Sequence, residues 1–216
     1  MRDVLEPCRH PPYPSATDLL DAIASTQSLY VRGRSAREVF NHLLETLLGV
    51  THCGYGFVGE VEYVEPGRPR LRTHAISNIA WNEETRSHYA RYEEEGLVFA
   101  NLETLFGRVL TSGETLISND PANDPRRGGL PPGHPPMYCF LGLPLKAGDL
   151  LVGMIGLANR PGGFDDTLTQ QLKPLVATAA QIIQAYQLDR ERQRAVADAL
   201  EKSIRLKTMI ETAVDA

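Results

Sequence analysis

Met137–Asn159 reads MYCFLGLPLKAGDLLVGMIGLAN, and its punctuation decides the architecture. Two strand-length apolar runs, Met137–Lys146 and Leu150–Asn159, flank the turn residues Ala147-Gly148-Asp149. A tight reversal between two such runs makes an antiparallel hairpin. Strand side chains alternate, so Met154, Gly156 and Ala158 share one face of the second run. The small residues Gly156 and Ala158 leave room above that face, which marks it as a candidate ligand surface.

The same two-residue period appears upstream. From Cys53 to Val64, Tyr55, Phe57, Gly59, Val61 and Tyr63 alternate with Gly54, Gly56, Val58, Glu60 and Glu62. The turn Glu65-Pro66-Gly67-Arg68 follows, and Arg70–Ser77 is the expected hairpin partner. Thr115–Ser118 is a further short strand. Elsewhere the period is helical. Ser15 or Thr17 caps a helix running to about Tyr30, with Leu19, Leu20, Ile23 and Ala24 on one face. Ser35, with Glu38 three residues on, forms a capping box for a second helix. Its apolar face runs from Val39 and Phe40 to Leu47 and Leu48, and Gly49 is expected to end it. Trp81–Glu95 and Asn101–Leu110 read as two further helices. Asp165 caps a long helix from near Thr167 to about Thr212, with Pro174 in its first turns. The order predicts an α+β fold: a central antiparallel sheet of about six strands with helices on both faces and a long C-terminal helix.

Composition removes several function classes. Lys and Arg number 22 against 27 Asp and Glu in 216 residues, a net charge of −5. A mildly acidic chain is a poor general nucleic-acid binder, because neutralising phosphates requires a basic face. No apolar run approaches the ~20 residues that span a bilayer, and the N-terminus lacks a signal-peptide core, so a cytoplasmic location without membrane contact is expected. Three scattered cysteines, Cys8, Cys53 and Cys139, give neither a disulfide framework nor a CxxC metal pair.

Three regions follow along the chain. Residues 1–16, with Pro7, Pro11, Pro12 and Pro14, read as an extended or disordered arm. Residues 17–188 form the domain. Residues 189–216 read as a helical linker, whose 3,4-spaced row includes Val196, Leu200 and Ile210. A helix projecting past its domain has little but a partner to bury Leu200, Ile204 and Ile210 against, so a coiled-coil homodimer is expected. Asn119–Pro136 carries six prolines, and a loop of this length inside a domain is commonly functional.

The stretch Leu105–Asp166 resembles GAF domains, small-molecule sensor modules of signalling proteins. The carrying residues are Gly113-Glu114-Thr115, Asn119-Asp120-Pro121 with Asp124-Pro125, Phe140-Leu141-Gly142-Leu143-Pro144-Leu145, Leu151–Arg160 and Gly163-Phe164-Asp165-Asp166. With the upstream element order, the likeness spans about residues 17–188. It implies that the first and last helices pack on one sheet face, and that the middle helices and the long loop roof a ligand pocket on the other. It also implies that the terminal helices pair as a dimer. Ile204–Ala216 looks like the opening of a PAS domain, which points to a missing effector such as a histidine kinase or a diguanylate cyclase.

Phe57, Trp81, Phe99, His134, Met137, Met154, Gly156 and Ala158 are the expected ligand-binding residues, with no catalytic residue and no resident metal. His134-Pro135-Pro136-Met137 is similar to a segment of haem-containing GAF domains whose histidine is the axial ligand. Neutral imidazole suits iron, and two prolines stiffen its loop. Haem is thus an alternative cofactor, although Gly156 stands where that group has a distal tyrosine. Asn159-Arg160, Phe164 and Asp165-Asp166 loosely match a cyclic-nucleotide GAF signature with altered spacing. Their expected roles are structural, with Arg160 pairing an acid and Asp165 capping the last helix. Cys139 and Cys53 are expected to pack as small hydrophobes. A dimerisation module with a collapsed pocket is the other alternative.

Overall fold

The computed structural model describes residues 11–65, 68–77, 96–130 and 134–214. Helix α1 (Ala16–Val31) is capped by Ser15, whose hydroxyl accepts from the Asp18 amide while Asp18 reaches back to the Ser15 amide. Helix α2 (Ala36–Thr51) carries the expected capping box of Ser35 and Glu38. It runs two residues past Gly49. The stop is made instead by His52, which takes the left-handed cap at φ 57°, while the Thr51 hydroxyl bonds back to the Leu47 carbonyl.

Six strands follow: β1 (Tyr55–Glu65), β2 (Arg68–Ile76), β3 (Val98–Phe99), β4 (Leu116–Ser118), β5 (Phe140–Ala147) and β6 (Leu150–Ala158). They form one sheet in the order β3-β2-β1-β6-β5-β4, and every neighbouring pair is antiparallel. The two expected hairpins, β1–β2 and β5–β6, lie side by side through β1 and β6. The edge strand β3 has only two residues, too few to show a period in sequence.

Helix α3 (Leu105–Ser112) begins four residues later than the helix expected from Asn101. The Asn101 side chain accepts from the Glu103 amide, and Thr104 caps the Gly107 amide. Both residue types favour such turns and caps over helix interiors. Helix α4 (Asp166–Val214) is continuous through Pro174. Asp165 caps it by accepting from the Leu168 amide at 2.9 Å. The helix expected over Trp81–Glu95 lies outside the described residues.

Two apolar clusters sit on opposite sheet faces. The larger joins α1, α2 and the first half of α4 to the sheet, with Phe40, Leu47, Leu141, Ile155, Leu172 and Leu175 at its centre. The smaller lies under α3 and gathers Val61, Leu71, Val109, Phe140 and Met154. The division follows the strand period: Ile155 and Leu157 face the three-helix side, and Met154 faces α3.

Beyond the core α4 is solvated. Leu188, Val196, Leu200, Ile204, Leu206 and Met209 are each more than half exposed. The helix is anchored at its exit by two long-range contacts. The Tyr186 hydroxyl donates to the Arg34 carbonyl at 2.6 Å, with its ring edge-on to Tyr30. Arg190 meets Glu60 at 2.5 Å. Among the described residues, no helix is long and apolar enough to cross a membrane.

Within Pro11–Ser15 the proline-bearing N-terminal stretch is held against the domain. Pro14 is buried, the Pro11 carbonyl accepts from Arg160, and the Tyr13 hydroxyl bonds Asp165. These residues are extended but strapped to the fold, because the arm meets polar groups at the root of α4.

Candidate functional site

The α3 side of the sheet gathers most of the expected ligand-binding residues. Met154 is fully buried at the centre of the smaller cluster, and Phe57, Phe99 and Met137 pack around it half-buried. Phe57 meets Phe99 edge-on at 5.4 Å, and Phe99 lies 5.3 Å from Phe106. Phe106 and Leu102 complete this apolar wall. Trp81 lies outside the described residues.

The room expected over Gly156 is occupied. A Cβ on Gly156 would fall on the Phe57 ring, and one on Gly142 would lie 2.9 Å from the Met154 Cε and 2.6 Å from Val109. Gly156 pairs with Phe57 across β1–β6 and with Gly142 across β5–β6. The two glycines thus make a shallow dish, and neighbouring side chains fill it. Ala158 is buried between Tyr55 and Phe140 at the strand's end.

His134 stands apart from this cluster. Its Nδ1 lies 2.8 Å from the Pro135 carbonyl, and its ring meets Tyr55 edge-on at 5.6 Å. The Tyr55 hydroxyl in turn donates to the Pro136 carbonyl. An Nδ1–H held by a carbonyl leaves Nε2 as the nitrogen with a lone pair, the tautomer a metal ligand needs. The dish of Gly142 and Gly156 is filled by Phe57, Val109 and Met154, and that packing does not fit a porphyrin laid on the sheet. Among the described residues, no group of three His, Cys, Asp or Glu side chains is placed to hold a metal.

The start of the long loop is built rather than slack. Asp124 is buried, accepts from the Arg126 amide and guanidinium, and is held well below the usual carboxylate range by that arginine. Arg126 also donates to the Ile117 carbonyl, which ties the loop to β4. Asp120 accepts from Asn123. These acids serve turns, as their spacing suggests.

Cys53 and Cys139 are poor nucleophiles. Burial pushes the Cys53 thiol up to about 12 and raises Cys139 as well. The reactive species is the thiolate, so both are inert near neutral pH.

A second recess lies just past the C-terminal end of β6. Its volume is about 330 Å³, and its walls include Asn119, Tyr138, Cys139, Asn159 and Arg160. Asn159 adopts φ 59° and bridges the Tyr138 amide and the Pro136 carbonyl. Asn119 grips both the amide and the carbonyl of Phe164. Arg160 corrects an expectation, because it pairs with no acid among the described residues. Its Nη1 donates to the Gly163 carbonyl at 3.2 Å and its Nη2 to the Pro11 carbonyl at 2.9 Å. The Tyr13 ring covers its Cζ at 5.6 Å. The nearby turn carbonyls and the arm reach the guanidinium first. A contact across 149 positions leaves no trace in local sequence.

On the opposite sheet face, Glu60 is a buried acid that the sequence pattern placed on a strand but gave no role. Its carboxylate lies 2.5 Å from Arg190 Nη2 and 3.2 Å from His74 Nε2. His74 stacks on Phe40 with centroids 5.1 Å apart. Burial alone would raise the Glu60 carboxyl; His74 and Arg190 outweigh it and hold the group at about 2.

Comparison with known proteins places this architecture. A methyl sulfide methyltransferase-associated sensor of Methanosarcina acetivorans is 25% identical over 159 residues, which is 73% of this chain and 15% of that protein. The chain therefore spans a small part of that relative. The GAF domain of a phosphoenolpyruvate-protein phosphotransferase from Coxiella burnetii aligns with a TM-score of 0.63 at 14% identity, over 82% of this chain and 99% of that one. Free methionine-R-sulfoxide reductase from Neisseria meningitidis aligns at 0.58 with 12% identity, over 83% and 99%. At such identities the two structures speak for the fold alone. A family model described as the GAF domain matches residues 33–184, well over half of the sequence, and the chain belongs to the GAF domain family.

Proposed function

We propose that this GAF domain is the sensory input module of a larger cytoplasmic signalling protein, one that passes ligand binding through α4 to an effector beyond it. The effector class is a sensor histidine kinase or a diguanylate cyclase, reached through a PAS domain. One observation carries the reading. The same helix that contributes Leu168, Leu172, Leu175 and Ile183 to the core continues, unbroken, as a solvated rod. A shift in the packing of its first half must move its second half.

The ligand surface is the sheet face around Phe57, Phe99, Met137, Met154, Gly156 and Ala158. A small apolar or aromatic molecule replaces the Phe57 ring over Gly156 and favours one packing of the terminal helices. Two copies pair through those helices, which covers Val196, Leu200 and Ile204. The module is regulatory rather than catalytic, and the inert state of Cys53 and Cys139 supports this.

Light scattering on the full chain and on a chain ending at Ala185 tests the output half. A dimer for the first and a monomer for the second is the expected result, and monomers at both lengths overturn it. Native mass spectrometry tests the input half through a retained small molecule. The filled dish of Gly156 favours a second reading, a dimerisation module with a collapsed pocket. A dimer that retains nothing and whose Phe57→Ala variant also binds nothing selects that reading. A Soret band that disappears in His134→Ala would instead make the module a haem sensor.

A further inference from the structure

The geometry points to a second ligand site, for a small carboxylate or phosphate, at the Arg160 recess. This site does not depend on the sheet-face reading. Arg160 is 4% exposed, so its charge is nearly out of water. A buried guanidinium is costly unless it is compensated by a counter-charge and by hydrogen bonds. Here the bonds come from neutral carbonyls alone: Pro161 at 3.5 Å, Gly163 at 3.2 Å and Pro11 at 2.9 Å. No carboxylate among the described residues lies within ion-pair distance of it.

The distribution of these bonds matters more than their number. Both turn carbonyls are served by Nη1. The opposite edge, formed by Nε and Nη2, presents two parallel N–H donors, the fork that matches two oxygens of a carboxylate or phosphate. On that edge Nη2 is taken by the Pro11 carbonyl, while Nε is buried with no hydrogen-bond partner. The fork is therefore half filled, and by an oxygen carried on the arm. A planar or tetrahedral oxyanion satisfies both donors and supplies the missing charge.

Arg160 forms part of the wall of the 330 Å³ recess, a volume at the small end of ligand pockets; its Nε is covered rather than open to that space, so an anion reaches the fork by taking the place of the Pro11 carbonyl. The carboxamides of Asn119 and Asn159 are committed to backbone groups, so they shape the recess rather than select the ligand. The acid near the arginine is Asp165. Its carboxylate caps Leu168 and accepts from Tyr13, whose ring lies on Arg160. An anion on the fork displaces Pro11 and loosens the strap that joins the arm to this cap. The recess thus reads out at the root of α4.

The test is a titration of the full chain, observed through the Nε–H resonances of its arginines. Sodium acetate and sodium phosphate are added separately, each replacing chloride at constant ionic strength. The expected result is a saturable shift of one Nε–H peak, assigned to Arg160 by its absence in Arg160→Lys, with one probe or both. Saturation with acetate alone assigns a carboxylate ligand, and saturation with phosphate alone a phosphate. Tyr13→Ala, which removes the ring over the guanidinium, should bind the same probe several-fold more tightly. Small, non-saturating drifts shared by all arginine peaks overturn the proposal. The wild-type titration and Tyr13→Ala decide the matter even if Arg160→Lys does not fold.

Discussion

Replacing Glu60 by glutamine keeps the shape of the side chain and removes its charge. In the native protein the carboxyl is held at about 2 by His74 and Arg190, against an ordinary value of 4.5. That difference corresponds to about 3 kcal/mol of preference for the ionised form, at 1.36 kcal/mol per tenfold change. Glu60 is 3% exposed, so water does little to screen the interaction. The sign follows from linkage. A carboxyl depressed in the folded state contributes its full stabilisation above the unfolded value near 4.5, and loses it as pH falls toward about 2. The Glu60→Gln variant should therefore be less stable by about 3 kcal/mol at about pH 7, with the deficit shrinking to about 1.4 kcal/mol near pH 3. Urea denaturation followed by circular dichroism at both pH values measures it. Asp124 and Glu62 also have lowered values, but they titrate equally in both proteins and cancel in the difference. A deficit that does not change with pH, or one below about 0.5 kcal/mol at neutral pH, refutes the assignment of a buried ionised Glu60.

Three further outcomes follow from the packing. Gly156→Val should cost about 1–3 kcal/mol, because its side chain claims the volume of the Phe57 ring; combined with Phe57→Ala, it should cost less than the sum in chemical denaturation. Ser35→Ala removes the hydroxyl that caps the Glu38 amide and should lower stability by about 1 kcal/mol, read from the denaturation midpoint. Cys53 and Cys139 should resist iodoacetamide in the native protein near neutral pH and react on addition of urea, since burial keeps both thiols protonated; rapid native alkylation at either site contradicts their placement.

Local rules carried much of the architecture. The alternation of Tyr55, Phe57, Gly59 and Val61 marked β1, the turn at Gly148 marked the β5–β6 hairpin, and Ser35 and Asp165 marked helix starts that the structure reproduces. These features involve neighbours within a few positions. What stayed hidden depends on distant partners. Gly49 looked like a stop, yet a Cβ there meets nothing within 4 Å and His52 supplies the turn. The hollow implied by Gly156 was sound as strand chemistry, but its filling by Phe57 depends on the register between β1 and β6. The role of Arg160 depends on an arm whose prolines show only that it is not helical. Glu60 alternated correctly on its strand, but its partners sit 14 and 130 positions away, and only the tertiary fold brings them to one carboxylate.

The contact between Arg190 and Glu60 also sets a geometric scale. It lies where α4 leaves its support, so it acts as a fulcrum. From Arg190 to Val214 the helix extends roughly 36 Å at 1.5 Å per residue, and a tilt of about 10° at the pivot sweeps its far end through about 6 Å. The buried Leu175 lies roughly 22 Å on the other side of that pivot, so a shift of about 1 Å there returns at the far end as about 1.6 Å, and the rod relays a core movement with only a modest gain.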